Sequence, residues 1–175
     1  LDALHLCYAD IPEEKSTSIV LRILDVPSSA DNNIPYEERG WPFFESMVAV
    51  AGGRQVQDVH RGKSSSFGMD TVGPSMVPAL PDSFATMIRK LHFTSMKTDP
   101  DKVLMLYTKV FNEHLVHLKT MVASNWTDAE VDKFLAVLPY LHEFRCLKAR
   151  GFKLSKEGYR AMRRAAIKAD GDIYY

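Results

Sequence analysis

The chain has 175 residues, 22 Lys plus Arg against 22 Asp plus Glu, and 46% hydrophobic and 25% charged residues. That is the composition of a globular protein with a core of its own, and it excludes a disordered or collagen-like chain. Balanced charge offers no electrostatic case for nucleic acid or an anionic membrane, and no nucleic-acid partner is expected. The longest apolar runs, such as Met47 to Ala51, fall far short of the roughly 18 residues a membrane span needs, so no transmembrane segment is expected. Cys7 and Cys146 cannot make a disulfide framework, and whether they pair stays open. The chain starts at Leu1 rather than Met, which suggests a processed polypeptide such as an imported plastid or mitochondrial protein, or an excerpt of a longer one.

Taken in order, residues 4–9 (LHLCYA) and 19–26 (IVLRILDV) are aliphatic runs bounded by Pro12 and by Pro27-Ser28-Ser29, and both read as buried strands. The Ser, Asp, Asn and Pro of 28–35 make a loop, after which apolar residues recur at helical spacing from Tyr36 to Ala51. Pro42 is tolerated only in a first turn, so the helix is expected to begin near Trp41 and to stop at Gly52-Gly53. Residues 54–81 lack periodicity and read as a long loop, unusual in a compact domain, that wraps the surface, binds something or hides a short strand at 55–59.

Asp82 is expected to cap a helix through Leu91, and Asp99 a long helix with Pro100 at its first position, running to about Val122. Thr127 and Glu130 form a capping box for a helix through Leu138, closed by Pro139. Residues 144–149 (FRCLKA) suggest a strand, and Ser155 caps a last helix. That helix should turn Tyr159, Met162, Ala165, Ala166 and Ile167 inward, and Lys156, Arg160, Arg163, Arg164 and Lys168 outward.

The block Tyr36-Glu-Glu-Arg39-Gly40-Trp41-Pro-Phe-Phe44-Glu45, with Pro81 to Phe84 and then Phe93-Thr94, Asp99, Val103, Leu106 and Tyr107, resembles a family from protist and algal genomes. That resemblance covers residues 19–111 and implies no particular activity. The same block is distantly similar to Toll/interleukin-receptor (TIR) and fungal heterokaryon-incompatibility domains, in which a strand leads to a helix opening with a W-x-x-E-like pattern. The resemblance to NAD-cleaving TIR domains implies a catalytic glutamate at Glu45, one residue late relative to Trp41, with Arg39 and Trp41 beside the ligand. A carboxylate there would stabilise an oxocarbenium-like transition state. The plainer account makes Trp41, Phe43 and Phe44 core anchors, Arg39 and Glu45 a local ion pair or cap, and Gly40 a close-packing position. The stretch from Trp126 to Ala169 resembles one unit of a ribonuclease-inhibitor-type leucine-rich repeat; a solenoid needs about three, so an appended lobe is expected rather than an array.

Other motifs carry less. Gly62-Lys63-Ser64 lacks the first glycine and following helix of a phosphate-binding loop. His114 with His117, and His142 with Cys146, lack a third ligand at defined spacing, so no metal and no cofactor are expected. Asn125-Trp126-Thr127 is a glycosylation acceptor only in a secreted chain.

The expectation is therefore a small, helix-rich, three-layer-like α/β lobe with few strands over 1–96, holding the RGWPFFE helix and loop 54–81. Helices and a strand-helix unit follow over 97–175. Functionally it reads as a non-enzymatic structural or interaction subunit with other protein subunits as partners, docking through that loop, the basic face of the last helix and an exposed tail, Ile173 to Tyr175. The alternative is a TIR-like NAD-cleaving or nucleotide-binding domain using Glu45.

Overall fold

The β-branched residues Ile19, Val20 and Ile23 suit a strand, and strand β1 (Ile19–Ile23) forms there in a computed structural model that describes residues 19–24, 26, 28–51, 54–59, 74–168 and 172–174. It pairs in parallel with β2 (Gln55–Val59), Ile19 opposite Gln55 through Ile23 opposite Val59. Parallel neighbours need a crossover, and helix α1 (Gly40–Ala51) supplies it. The strand expected at 4–9 and the segment containing Gly62-Lys63-Ser64 lie outside the described residues.

Helix α2 (Pro81–Ile88) begins one residue before the expected cap: Leu80 is its N-cap and Asp82 sits in the first turn. Pro81 has its φ preset and no N–H to satisfy, so it takes the first helical position, while Asp82 still faces the positive end of the helix dipole. The helix stops at Ile88 instead of Leu91. Helix α3 (Asp99–Glu113) has Thr98 as N-cap, with Asp99 and Pro100 inside the first turn.

Helix α3 ends at Glu113, nine residues short of Val122. A 3-10 turn over Leu115–His117 follows, then strand β3 (Thr120–Ser124). Alternate burial of Met121 and Ala123, and a partner strand supplied from far along the chain, override the helical spacing of the preceding leucines.

Helix α4 (Asp128–Val137) opens with the expected capping box, the Glu130 carboxylate accepting from both the Thr127 amide at 3.0 Å and its hydroxyl at 2.6 Å. Strand β4 (Cys146–Arg150), helix α5 (Lys156–Lys168) and strand β5 (Asp172–Tyr174) complete the chain. The Ser155 hydroxyl accepts from the Gly158 amide at 3.1 Å, as a cap should.

The fold is mixed α/β, helix-rich with few strands: five α-helices and two small parallel sheets, β1-β2 and β3-β4-β5, among the described residues. One buried cluster runs from Phe44 on α1 through Phe84, Tyr107 and Trp126 to Met162 on α5, crossing the 96/97 division without a break.

The second sheet is more regular than one repeat-like unit. Every pairing of β3 with β4, and of β4 with β5, is offset by 26 residues: Met121 opposite Leu147, Leu147 opposite Ile173. Two strand-helix units and a third strand therefore stack in register. The turn after each strand repeats too, since Asn125 and Gly151, also 26 apart, both take left-handed backbone at φ 56° and 61°. Glycine and asparagine tolerate that conformation, which most residues avoid. Trp126 and Phe152 then stack, with ring centroids 5.3 Å apart. The tail expected at 173–175 is thus a sheet strand as far as Tyr174.

Candidate functional site

Loop 28–35 and a 3-10 turn over Tyr36–Glu38 carry the chain from β1 to the start of α1, and the aromatic block there is held from two sides. The Arg39 side chain turns back onto its own loop, Nε donating to the Ile34 carbonyl at 2.8 Å and Nη2 to that of Asn32 at 2.9 Å. The Gly40 amide donates to the His92 carbonyl at 2.8 Å, and the His92 amide to that of Glu38 at 2.7 Å. A β-carbon on Gly40 would overlap the tip of the Phe93 ring, so only glycine lets that ring close over the helix start.

The Trp41 indole N–H donates to the Asp99 carboxylate at 3.1 Å, which also accepts from the Ser95 amide at 3.3 Å. Its ring meets Phe44 and Phe93 edge-on, at 6.0 and 6.5 Å. Phe43 stacks on Phe84, and Phe84 on Tyr107, at 5.8 and 3.9 Å. Residues quoted from three separate segments for the protist and algal resemblance thus explain one another by packing: Gly40 with Phe93, Trp41 with Asp99, Phe84 with Tyr107.

Glu45, on the second turn of α1, is half-buried, and burial pushes its carboxyl above the ordinary range. Among the described residues it has no ion pair or hydrogen bond with Arg39, whose guanidinium holds the loop instead. Of the three residues expected around a ligand, Arg39 and Trp41 are committed to internal contacts. Glu45 alone is left with a perturbed carboxyl.

The described part of loop 54–81 is built into the fold. Residues 55–59 are β2, and the segment leading to α2 is pinned where it passes β3. The Ser75 amide donates to the Ser124 carbonyl at 2.8 Å, the Ser124 amide to the Ser75 hydroxyl at 2.9 Å, and the Trp126 indole to the Ser75 carbonyl at 2.8 Å. The buried Tyr107 hydroxyl donates to the Ala79 carbonyl at 2.7 Å and accepts from its amide at 3.1 Å.

His114 ends α3, and His117 sits in the following turn with Nδ1 2.7 Å from Glu143 Oε1. Among the described residues no three His, Cys, Asp or Glu side chains gather as metal ligands would. The segment from His142 to Cys146 is turn and strand rather than helix; Cys146 is free and half-buried, and Cys7 lies outside the described residues.

Lys156, Arg160, Arg163 and Arg164 face outward on α5 as expected, and the segregation of charge extends beyond that helix. Residues 145–168, which span β4 and α5, hold nine of the chain's 22 Lys and Arg but one of its 22 Asp and Glu, leaving 13 basic against 21 acidic residues elsewhere. A whole-chain sum hides this segregation, and a running count would have found it. On α5 the inward side is Gly158 and Met162, whereas Tyr159 and Ile167, expected inside, are 42% and 75% exposed among the arginines. Met162 fixes the buried arc, and Ile167 falls about 140° from it at 100° per residue.

Among the described residues, no helix is long and apolar enough to cross a membrane. No family model, curated protein or solved structure matches the chain.

Proposed function

We propose that this chain is a non-enzymatic interaction subunit that docks onto other protein chains. The observation that carries this is the segregated charge: a neutral chain gathers nine of its 22 Lys and Arg on the strand-helix unit that holds the middle strand of a regular parallel sheet. Charge placed this way steers and orients a partner. The commitment of Arg39 and Trp41 to internal contacts supports the same view. The test is purification of the tagged protein from its own cells under mild conditions, with sizing and identification of co-purifying chains. Recovery in a complex of fixed stoichiometry is expected, and recovery as a lone monomer would sink the proposal.

The half-buried Glu45 keeps a second reading alive, a TIR-like NAD-cleaving domain. Perturbed carboxyls gather at functional sites, although structural burial perturbs them as well. NAD turnover by the wild type that Glu45→Gln abolishes would establish it.

A further inference from the structure

The outer arc of α5 consists of Lys156, Tyr159, Arg160, Arg163, Arg164 and Ile167, all exposed, over about 16 Å of helix. The helix's own acid is Glu157, 3.9 Å from Arg160 Nη1. Like charges three and four residues apart destabilise a helix, so this arrangement works against α5 in the isolated chain. An exposed isoleucine at the end of the arc gains nothing from water either.

Three kinds of anionic partner could relieve the repulsion, and the structure discriminates among them. An amphipathic helix binds a membrane by inserting its apolar side, but that side of α5 holds the buried Gly158 and Met162, and the helix is packed against α4 and β5. A nucleic acid is a long polyanion, and outside residues 145–168 the chain meets it with 21 acidic against 13 basic residues. It would also leave Ile167 uncovered. A bounded acidic protein surface meets neither objection: its carboxylates suit the arginine forks, and apolar side chains beside them cover Ile167 and Tyr159, with tyrosine and arginine the types enriched in such interfaces.

We infer that the outer face of α5 docks an acidic protein surface that sets apolar side chains beside its carboxylates. This rests on the subunit reading and names the chemistry of the partner.

The probe is a labelled synthetic helix of about 20 residues, glutamate-rich with leucines at i, i+3, i+4 and i+7, titrated against the full chain by fluorescence anisotropy near 150 mM salt. A single-stranded oligonucleotide of similar length and phosphatidylserine vesicles serve as competitors. The peptide should bind more tightly than either, and lose about tenfold or more in affinity with Arg160→Glu/Arg163→Glu/Arg164→Glu. Ile167→Ser, which removes no charge and no buried contact, should cost about threefold or more. Tighter binding of the oligonucleotide or the vesicles, no peptide binding, or indifference to both variants would overturn the inference. In the native purification, an assembly that survives the charge reversal removes α5 as the dock while the subunit reading stands. A wild-type monomer there removes the subunit reading itself.

Discussion

Replacing Gly40 with alanine would drive a β-carbon into the tip of the Phe93 ring. The ring cannot retreat freely, because the Gly40 amide is bonded to the His92 carbonyl at 2.8 Å and the His92 amide to Glu38 at 2.7 Å, fixing the residue just before it. Its edge contact with Trp41, at 6.5 Å between centroids, ties it further to the Asp99 carboxylate. Forced overpacking of this kind costs about 1–3 kcal/mol. Against it stands the helix preference for alanine over glycine, at most about 1 kcal/mol in a helix interior and less at a first residue such as Gly40. A net loss of about 1–2 kcal/mol is expected, a fall of roughly 2–8 °C in Tm for a chain of this size.

The decisive comparison is a double-mutant cycle in urea, followed by circular dichroism with the slope checked for constancy. Phe93→Ala alone loses a partly buried ring. In Gly40→Ala/Phe93→Ala the clash disappears, so the double variant should be more stable than the sum of the singles allows by about 1 kcal/mol or more. A Gly40→Ala variant as stable as wild type, or strict additivity, would refute the close-packing account of the glycine.

Tyr107→Phe should cost about 1–3 kcal/mol by leaving both polar groups of Ala79 without their hydroxyl partner. Burial holds the Tyr107 proton well above the phenol's ordinary 10.0, so wild-type stability should decline once the pH passes about 10, where the unfolded chain ionises, and the phenylalanine variant should lack that part of the decline in an alkaline denaturation series. Because burial raises the Glu45 carboxyl, its charged form opposes folding: Glu45→Gln should melt higher than wild type at neutral pH, with the gap closing as the pH falls toward the ordinary 4.5. A lower melting temperature would mean that the carboxylate has a favourable partner. Thr127→Ala should cost about 0.5–2 kcal/mol. Burial alone would raise the Glu130 carboxyl, but the Thr127 hydroxyl and amide, with Lys133, hold it below its ordinary value. The capping contribution should therefore be present above pH 4.5 and fade in more acid solution, which melts of the two proteins across that range would show.

Features that depend on neighbours in the chain were legible in the sequence. The start of α1 around Pro42, the strand at 19–23, the Thr127 capping box and the Ser155 cap follow from local sterics and hydrogen bonding within a few residues. Misreadings fell where a distant segment decides. Residues 118–122 continue a helical spacing, yet β3 forms because β4 offers an edge 26 residues on. Residues 74–80 look like free loop, yet the backbone of Ser75 is held by β3 and the Trp126 indole, and that of Ala79 by Tyr107.

The candidate sites divide in the same way. The sequence by itself determined which residues could do chemistry, Glu45, Arg39 and Trp41, and that the last helix has a basic side. Only the tertiary structure decided that Arg39 and Trp41 are occupied in holding the fold, and that Tyr159 and Ile167 face outward with the arginines. The reason is physical: a side chain's type fixes what it can bond, but its partner and its exposure are set by which surfaces pack together, and a hydrogen bond such as Trp41 to Asp99 joins residues 58 apart in the chain.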